Sequence, residues 1–124
     1  MRRGALLLLL VAAPSAAHAD AVEDGAEVFK KCRACHQVGA NAKNMVGPSL
    51  NGLFGRKAGS VEGFGYSDAN KGSGVVWSQK TFAAYIKDPK AAMPGNKMAF
   101  PGIKDETDIA DLIAYLETFG AVGK

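Results

Sequence analysis

The two cysteines of this 124-residue chain, Cys32 and Cys35, stand three positions apart and are followed directly by His36. A C-x-x-C-H run places two thiols on one turn, where each can add to a vinyl group of a haem while the adjacent imidazole faces the iron. The predicted chemistry is covalent attachment of one haem c through Cys32 and Cys35, with His36 as the proximal ligand. Two other chemistries use paired cysteines. A thioredoxin-type dithiol would want a strand before it and a βαβ pattern, and a zinc site would want a second Cys/His pair. Neither context is present. The only other histidine, His18, lies in a segment expected to be removed on export.

The sixth coordination position separates two functions. Met45, Met93 and Met98 are the thioether candidates, and water or a vacant position is the remaining choice. His/Met ligation closes the iron and raises its potential, which suits electron transfer, whereas an open position suits ligand binding or peroxide chemistry.

Placing these groups requires a domain. Residues 1–19 read as a secretory leader: Arg2 and Arg3, an apolar run from Ala5 to Ala13, Pro14, and small residues ending at Ala17-His18-Ala19. The run is shorter than the roughly 20 residues that span a bilayer, so cleavage after Ala19 and a periplasmic protein without a membrane span are expected. Residues 20–124 then form one small domain. Its core would be thin unless a large apolar ring thickens it, so folding and cofactor binding should be coupled. The chain's net charge of +3 falls by two when Arg2 and Arg3 leave, too little for nucleic-acid binding.

Three helices are predicted. The first spans about Asp24 to Cys35, capped by Asp24, with Val28, Phe29 and Cys32 on one face. The second starts near Ser78, carries Phe82, Tyr85 and Ile86, and stops before Pro89. The third is capped by Asp105, repeats Ile109, Leu112, Ile113 and Leu116 at the helical period, and ends at Gly120. Between the first two, nine glycines from Gly39 to Gly74 argue against regular elements, and so long a loop needs a haem face to pack on.

Three further runs, Gly47 to Arg56, Gly63 to Lys71 and Pro94 to Phe100, together with the C-x-x-C-H run, resemble the class I cytochrome c family over about residues 24–119. Within it the chain is most similar to the bacterial periplasmic "c-two" cytochromes and to mitochondrial cytochrome c. The resemblance implies an all-α fold of helices and long loops wrapped around one haem. It also implies roles. Met98 is the axial methionine, and Pro48 offers its carbonyl to the proximal imidazole. Arg56, Tyr66 and Trp77 hold the haem propionates, for which a guanidinium, a phenol and an indole N–H are suitable donors. Tyr85 lies near the methionine sulfur, Asn70 on an internal water network, and Phe100 over the haem edge. Gly25 and Phe29 meet Leu112 and Tyr115 where the terminal helices cross. Met93 and Met45 are then packing residues. Two positions depart from the family: Asn96 stands where threonine is common, and Met45 where many members carry lysine.

The resemblance further implies a monomeric one-electron carrier rather than an enzyme. It would run from a quinol-oxidising cytochrome bc complex to a reaction centre or terminal oxidase, in respiration or photosynthesis. Docking would be transient, through Lys31, Lys43, Lys90, Lys97 and Lys104 around the haem edge. The alternative role is a cytochrome subunit serving a dedicated periplasmic dehydrogenase.

Overall fold

A computed structural model of the chain describes residues 4–10 and 15–120. Arg2, Arg3 and Pro14, on which part of the expected leader rests, lie outside the described residues. Residues 4–10 form no regular element, and Leu6 to Leu10 are exposed.

Five helices follow: α1 (Ala16–Phe29), α2 (Asp68–Gly72), α3 (Gln79–Lys87), α4 (Pro89–Ala92) and α5 (Glu106–Glu117). Among the described residues the only β pairing is an isolated bridge between Lys57 and Val76, so the all-α expectation holds. The longest contact is between α1 and α5. Gly25 makes it possible: a Cβ there would run into the Asp111 carbonyl and lie 2.7 Å from Tyr115 Cβ. Phe29 and Tyr115 meet beside it with ring centroids 5.5 Å apart.

The first helix corrects its prediction at both ends. It begins at Ala16, with Ser15 rather than Asp24 as its N-cap, because the alanines of 16–21 are strong helix formers and Ser15 accepts from the His18 amide. It ends at Phe29, before the cysteines. Beyond it the chain tightens: the Cys32 amide reaches the Phe29 carbonyl at 2.8 Å, and the Cys35 and His36 amides both reach that of Cys32. Gly47 N–H takes the Cys35 carbonyl at 2.8 Å, so that acceptor serves the incoming loop instead of a continuing helix.

The other two predicted helices fall where expected. Ser78 caps α3 in a reciprocal capping box with Thr81, and Phe82 and Ile86 are buried. Asp105 caps α5, whose Ile109, Leu112, Ile113 and Leu116 are buried. Its stop comes earlier than Gly120, at Thr118, whose hydroxyl donates to the Tyr115 carbonyl.

Two short helices were not expected. Inside the glycine-rich stretch, Ser67 caps α2. Pro89, read as a stop, also starts α4, because a proline at the first helical position has no N–H to leave unpaired. Elsewhere the stretch is irregular, and Gly59 shows why it needs glycine. Its φ is +77°, and a Cβ there would sit 2.8 Å from Lys71 Cα. One core joins Val28, Phe29, Leu53, Trp77, Phe82 and the inner face of α5, with Cys32, Leu50, Tyr85, Met98 and Phe100 packed against it.

Candidate functional site

His36 sits where the tightened turn after α1 meets the Gly47–Pro48 loop. Its Nδ1 donates to the Pro48 carbonyl at 2.8 Å. A carbonyl only accepts, so this bond places the proton on Nδ1 and leaves the Nε2 lone pair for a metal. Burial holds the imidazole below its ordinary pKa, opposed by the Pro48 carbonyl and aided by Arg56. The neutral, ligating form is favoured. Gly47 lies flat against the ring: a Cβ there would be 2.6 Å from Nδ1 and 2.7 Å from Nε2. This glycine belongs in the site, although its sequence motif pointed only to the neighbouring Pro48.

From Pro48 a continuous path of contacts leads to Met98. Arg56 Nη1 donates to the carbonyls of Ser49 (2.9 Å) and Asn51 (3.1 Å). The Arg56 carbonyl accepts from the Trp77 amide at 2.9 Å, and the Gly55 amide returns to the Trp77 carbonyl at 2.7 Å. The buried Trp77 ring meets Tyr85 edge-on at 5.0 Å, and Tyr85 Oη donates to Met98 Sδ at 3.8 Å. Burial raises the Tyr85 phenol to about 12, so it remains protonated as that donor. Tyr66 is buried, and its hydroxyl accepts from the Val61 amide at 3.0 Å, which leaves its own proton to give. Asn70 lies on α2, and its Oδ1 is buried without a hydrogen-bond partner. Phe100 and Met98 are partly buried against the core.

The other methionines separate from Met98. Met93 is 5% exposed inside the core, whereas Met45 is 48% exposed and its sulfur accepts from Gln37. Both fit packing or surface roles.

The cysteines are unpaired with one another. Burial pushes the Cys32 thiol up to about 11, the reverse of the depressed value a redox dithiol needs. Among the described residues, no three His, Cys, Asp or Glu side chains gather to hold a metal ion. The donor set instead fits a haem. Two thiols stand beside an imidazole with its Nε2 lone pair available. A phenol proton and a guanidinium with unused N–H groups suit two carboxylates, and the unpartnered Asn70 oxygen suits a polar neighbour.

A family model of cytochrome c matches residues 22–120. The chain belongs to the cytochrome c family. It is 54% identical over 117 residues to a cytochrome c2 of Blastochloris viridis, covering 94% of this chain and 92% of the relative. A cytochrome c-550 of Nitrobacter winogradskyi is 53% identical over 103 residues, 83% of this chain and 94% of that one. Among solved structures, cytochrome cH from Methylobacterium extorquens superposes with a TM-score of 0.74 at 45% identity, over 78% of this chain and 97% of that chain. This cytochrome is thus a class I protein of the c2 type, an electron-transfer protein and not an enzyme, of a family that binds haem c. No helix among the described residues is long and apolar enough to cross a membrane.

Proposed function

We propose that this cytochrome is a periplasmic one-electron shuttle whose haem is attached through Cys32 and Cys35 and ligated by His36 and Met98. The observation that carries the reading is the unbroken path from the Pro48-bound imidazole through Arg56, Trp77 and Tyr85 to the Met98 sulfur. When bound, the haem supplies an iron couple that gains and loses one electron without a bond to substrate.

The chain's own groups hold that couple steady. Pro48 fixes the His36 ring and its tautomer, and Tyr85 fixes the thioether. Arg56, Tyr66 and Trp77 would satisfy the propionates, Asn70 would give a buried polar oxygen, and Phe100 would shield the edge. With the His36 and Met98 side chains held from behind, little would need to move when the charge of a bound haem changes. Lys31, Lys43, Lys90, Lys97 and Lys104 are exposed and would meet acidic membrane partners, a quinol-oxidising bc complex on one side and a reaction centre or terminal oxidase on the other. Acidic residues gather on the terminal helices instead, with Asp20, Glu23, Asp24 and Glu27 on α1 and Asp108, Asp111 and Glu117 on α5. The leader is removed after Ala19, within the first turn of α1.

The test is the mass and reduced-minus-oxidised spectrum of the protein exported by a bacterium with a haem-attachment system. Residues 20–124 plus one haem that stays bound in denaturant, with a low-spin spectrum, are expected. A haem-free mass, or haem released by denaturant, defeats the reading.

A further inference from the structure

Asn96 stands two residues before Met98, and all of its hydrogen-bonding atoms are directed at backbone. Its Nδ2 donates to the carbonyls of Pro89 at 2.8 Å and Met93 at 2.7 Å, and its Oδ1 accepts from the Met98 amide at 2.9 Å. Turning the amide over would set its oxygen against two carbonyl oxygens and its NH2 against an N–H, so the three partners together fix the orientation.

We infer that Asn96 is a positioning residue for the Met98 thioether: it ties the Met98 backbone to α4 and so would resist release of the methionine from a bound iron. This rests on Met98 being the ligand. Met98 is then held at two points, by Asn96 at its amide and by Tyr85 at its sulfur. The anchor itself is firm. Asp88 caps α4 through the Ala91 amide, Pro89 and Met93 are buried, and the Met93 amide closes on the Pro89 carbonyl at 3.0 Å. Gly95, at φ +86°, makes the turn between anchor and ligand.

Threonine cannot replace this arrangement. A hydroxyl has one proton and cannot donate to both carbonyls, whereas the primary amide donates twice and still accepts from Met98. The residue at which this chain departs from its family's usual motif therefore makes one more bond to the α4 anchor than the usual one could.

The experiment is a titration of the ferric holoprotein with imidazole, which must displace Met98, read by loss of the sulfur-to-iron charge-transfer band. An exogenous ligand gains apparent affinity in proportion to how often the internal one is released. Asn96→Ala should bind imidazole at least about tenfold more tightly, and Asn96→Thr should fall between it and the wild type. Amide exchange at Met98 should quicken in both. Asp105→Ala, which removes the α5 cap seven residues beyond Met98 without touching the bonds of Asn96, controls for general loss of stability and should leave the imidazole affinity unchanged.

Met98→Ala sets the open-site limit. If wild type already binds imidazole as that variant does, Met98 is not the ligand, and both this inference and the reading beneath it fail. If Met98→Ala opens the site but Asn96→Ala binds like the wild type or like Asp105→Ala, the inference alone is overturned.

Discussion

Replacing Gly47 by alanine puts a methyl group into the face of the His36 ring, 2.6 Å from Nδ1 and 2.7 Å from Nε2. The ring's Cε1 would lie nearer still, and carbon contacts relax only near 3.5 Å, so ring or backbone must move by a little over ~1 Å. The backbone is pinned by two bonds of 2.8 Å, Gly47 N–H to the Cys35 carbonyl and Met45 N–H to the Gly47 carbonyl. The ring is therefore what gives, and its 2.8 Å bond to Pro48 is lost. Overpacking costs about 1–3 kcal/mol and the hydrogen bond about 1 more, roughly 2–4 kcal/mol together. For a chain of this size that lowers the melting temperature of the holoprotein by roughly 10–20 °C. The imidazole also loses the carbonyl that raises its basicity, so the oxidised iron is stabilised less and the potential rises, by roughly 40 mV per kcal/mol of difference. Thermal unfolding followed by circular dichroism and voltammetry of the same sample measure both effects. Gly72→Ala is the matched control. Gly72 ends α2 with nothing within 4 Å of an added Cβ, and that change should be neutral or slightly stabilising. A Gly47→Ala protein melting within about 2 °C of wild type, at an unchanged potential, would mean that Gly47 does not hold the His36 ring in place.

Replacing both Cys32 and Cys35 with alanine should leave a haem-free chain with little stable helix, and a cooperative thermal transition in that protein would break the proposed coupling of cofactor to fold. The association rate with an acidic membrane partner should fall as salt rises, since charges beyond about 10 Å are screened at 0.1 M. In the same assay Lys90→Glu and Lys97→Glu should slow association more than Lys80→Glu, and equal effects at all three would remove the edge lysines from the encounter. Asp111 has its carboxyl pKa raised by burial and by Asp24, Asp108 and Asp105. The folded state therefore keeps a proton that the unfolded chain releases, and stability falls as pH rises through the carboxylate range. Asp111→Asn should accordingly raise the denaturation midpoint at pH 7, with the gain shrinking at higher salt and vanishing near pH 3.

The residues that the structure brings together at the candidate site were nameable from sequence because their pairwise chemistry sits at fixed spacing. Cys32, Cys35 and His36 announce themselves, and the order Pro48, Arg56, Trp77, Tyr85, Met98 reappears as a path of contacts. Helices α3 and α5 were readable because a serine or aspartate cap precedes a full apolar period. The first helix was misjudged because its ends depend on competition: Ser15 and the alanines extend it backward, and past Phe29 the amides of Lys30, Lys31 and Cys32 take carbonyls three residues back instead of four. Helix α2 has five residues, too few to show a period. Gly47 and Asn96 stood out in the sequence, but their contacts were not legible there, for another reason. Each acts on a residue through space, a ring face in one case and three backbone groups in the other, and composition carries no trace of that direction.

Electron transfer by His36/Met98-ligated haem requires a closed sixth position. Adding carbon monoxide to the reduced, native holoprotein at neutral pH tests this directly, because only an open or weakly held site binds it. With Met98 held by Tyr85 at its sulfur and Asn96 at its amide, the spectrum should not change. A carbon monoxide adduct formed by the native protein would contradict His36/Met98 ligation and the electron-carrier reading built on it.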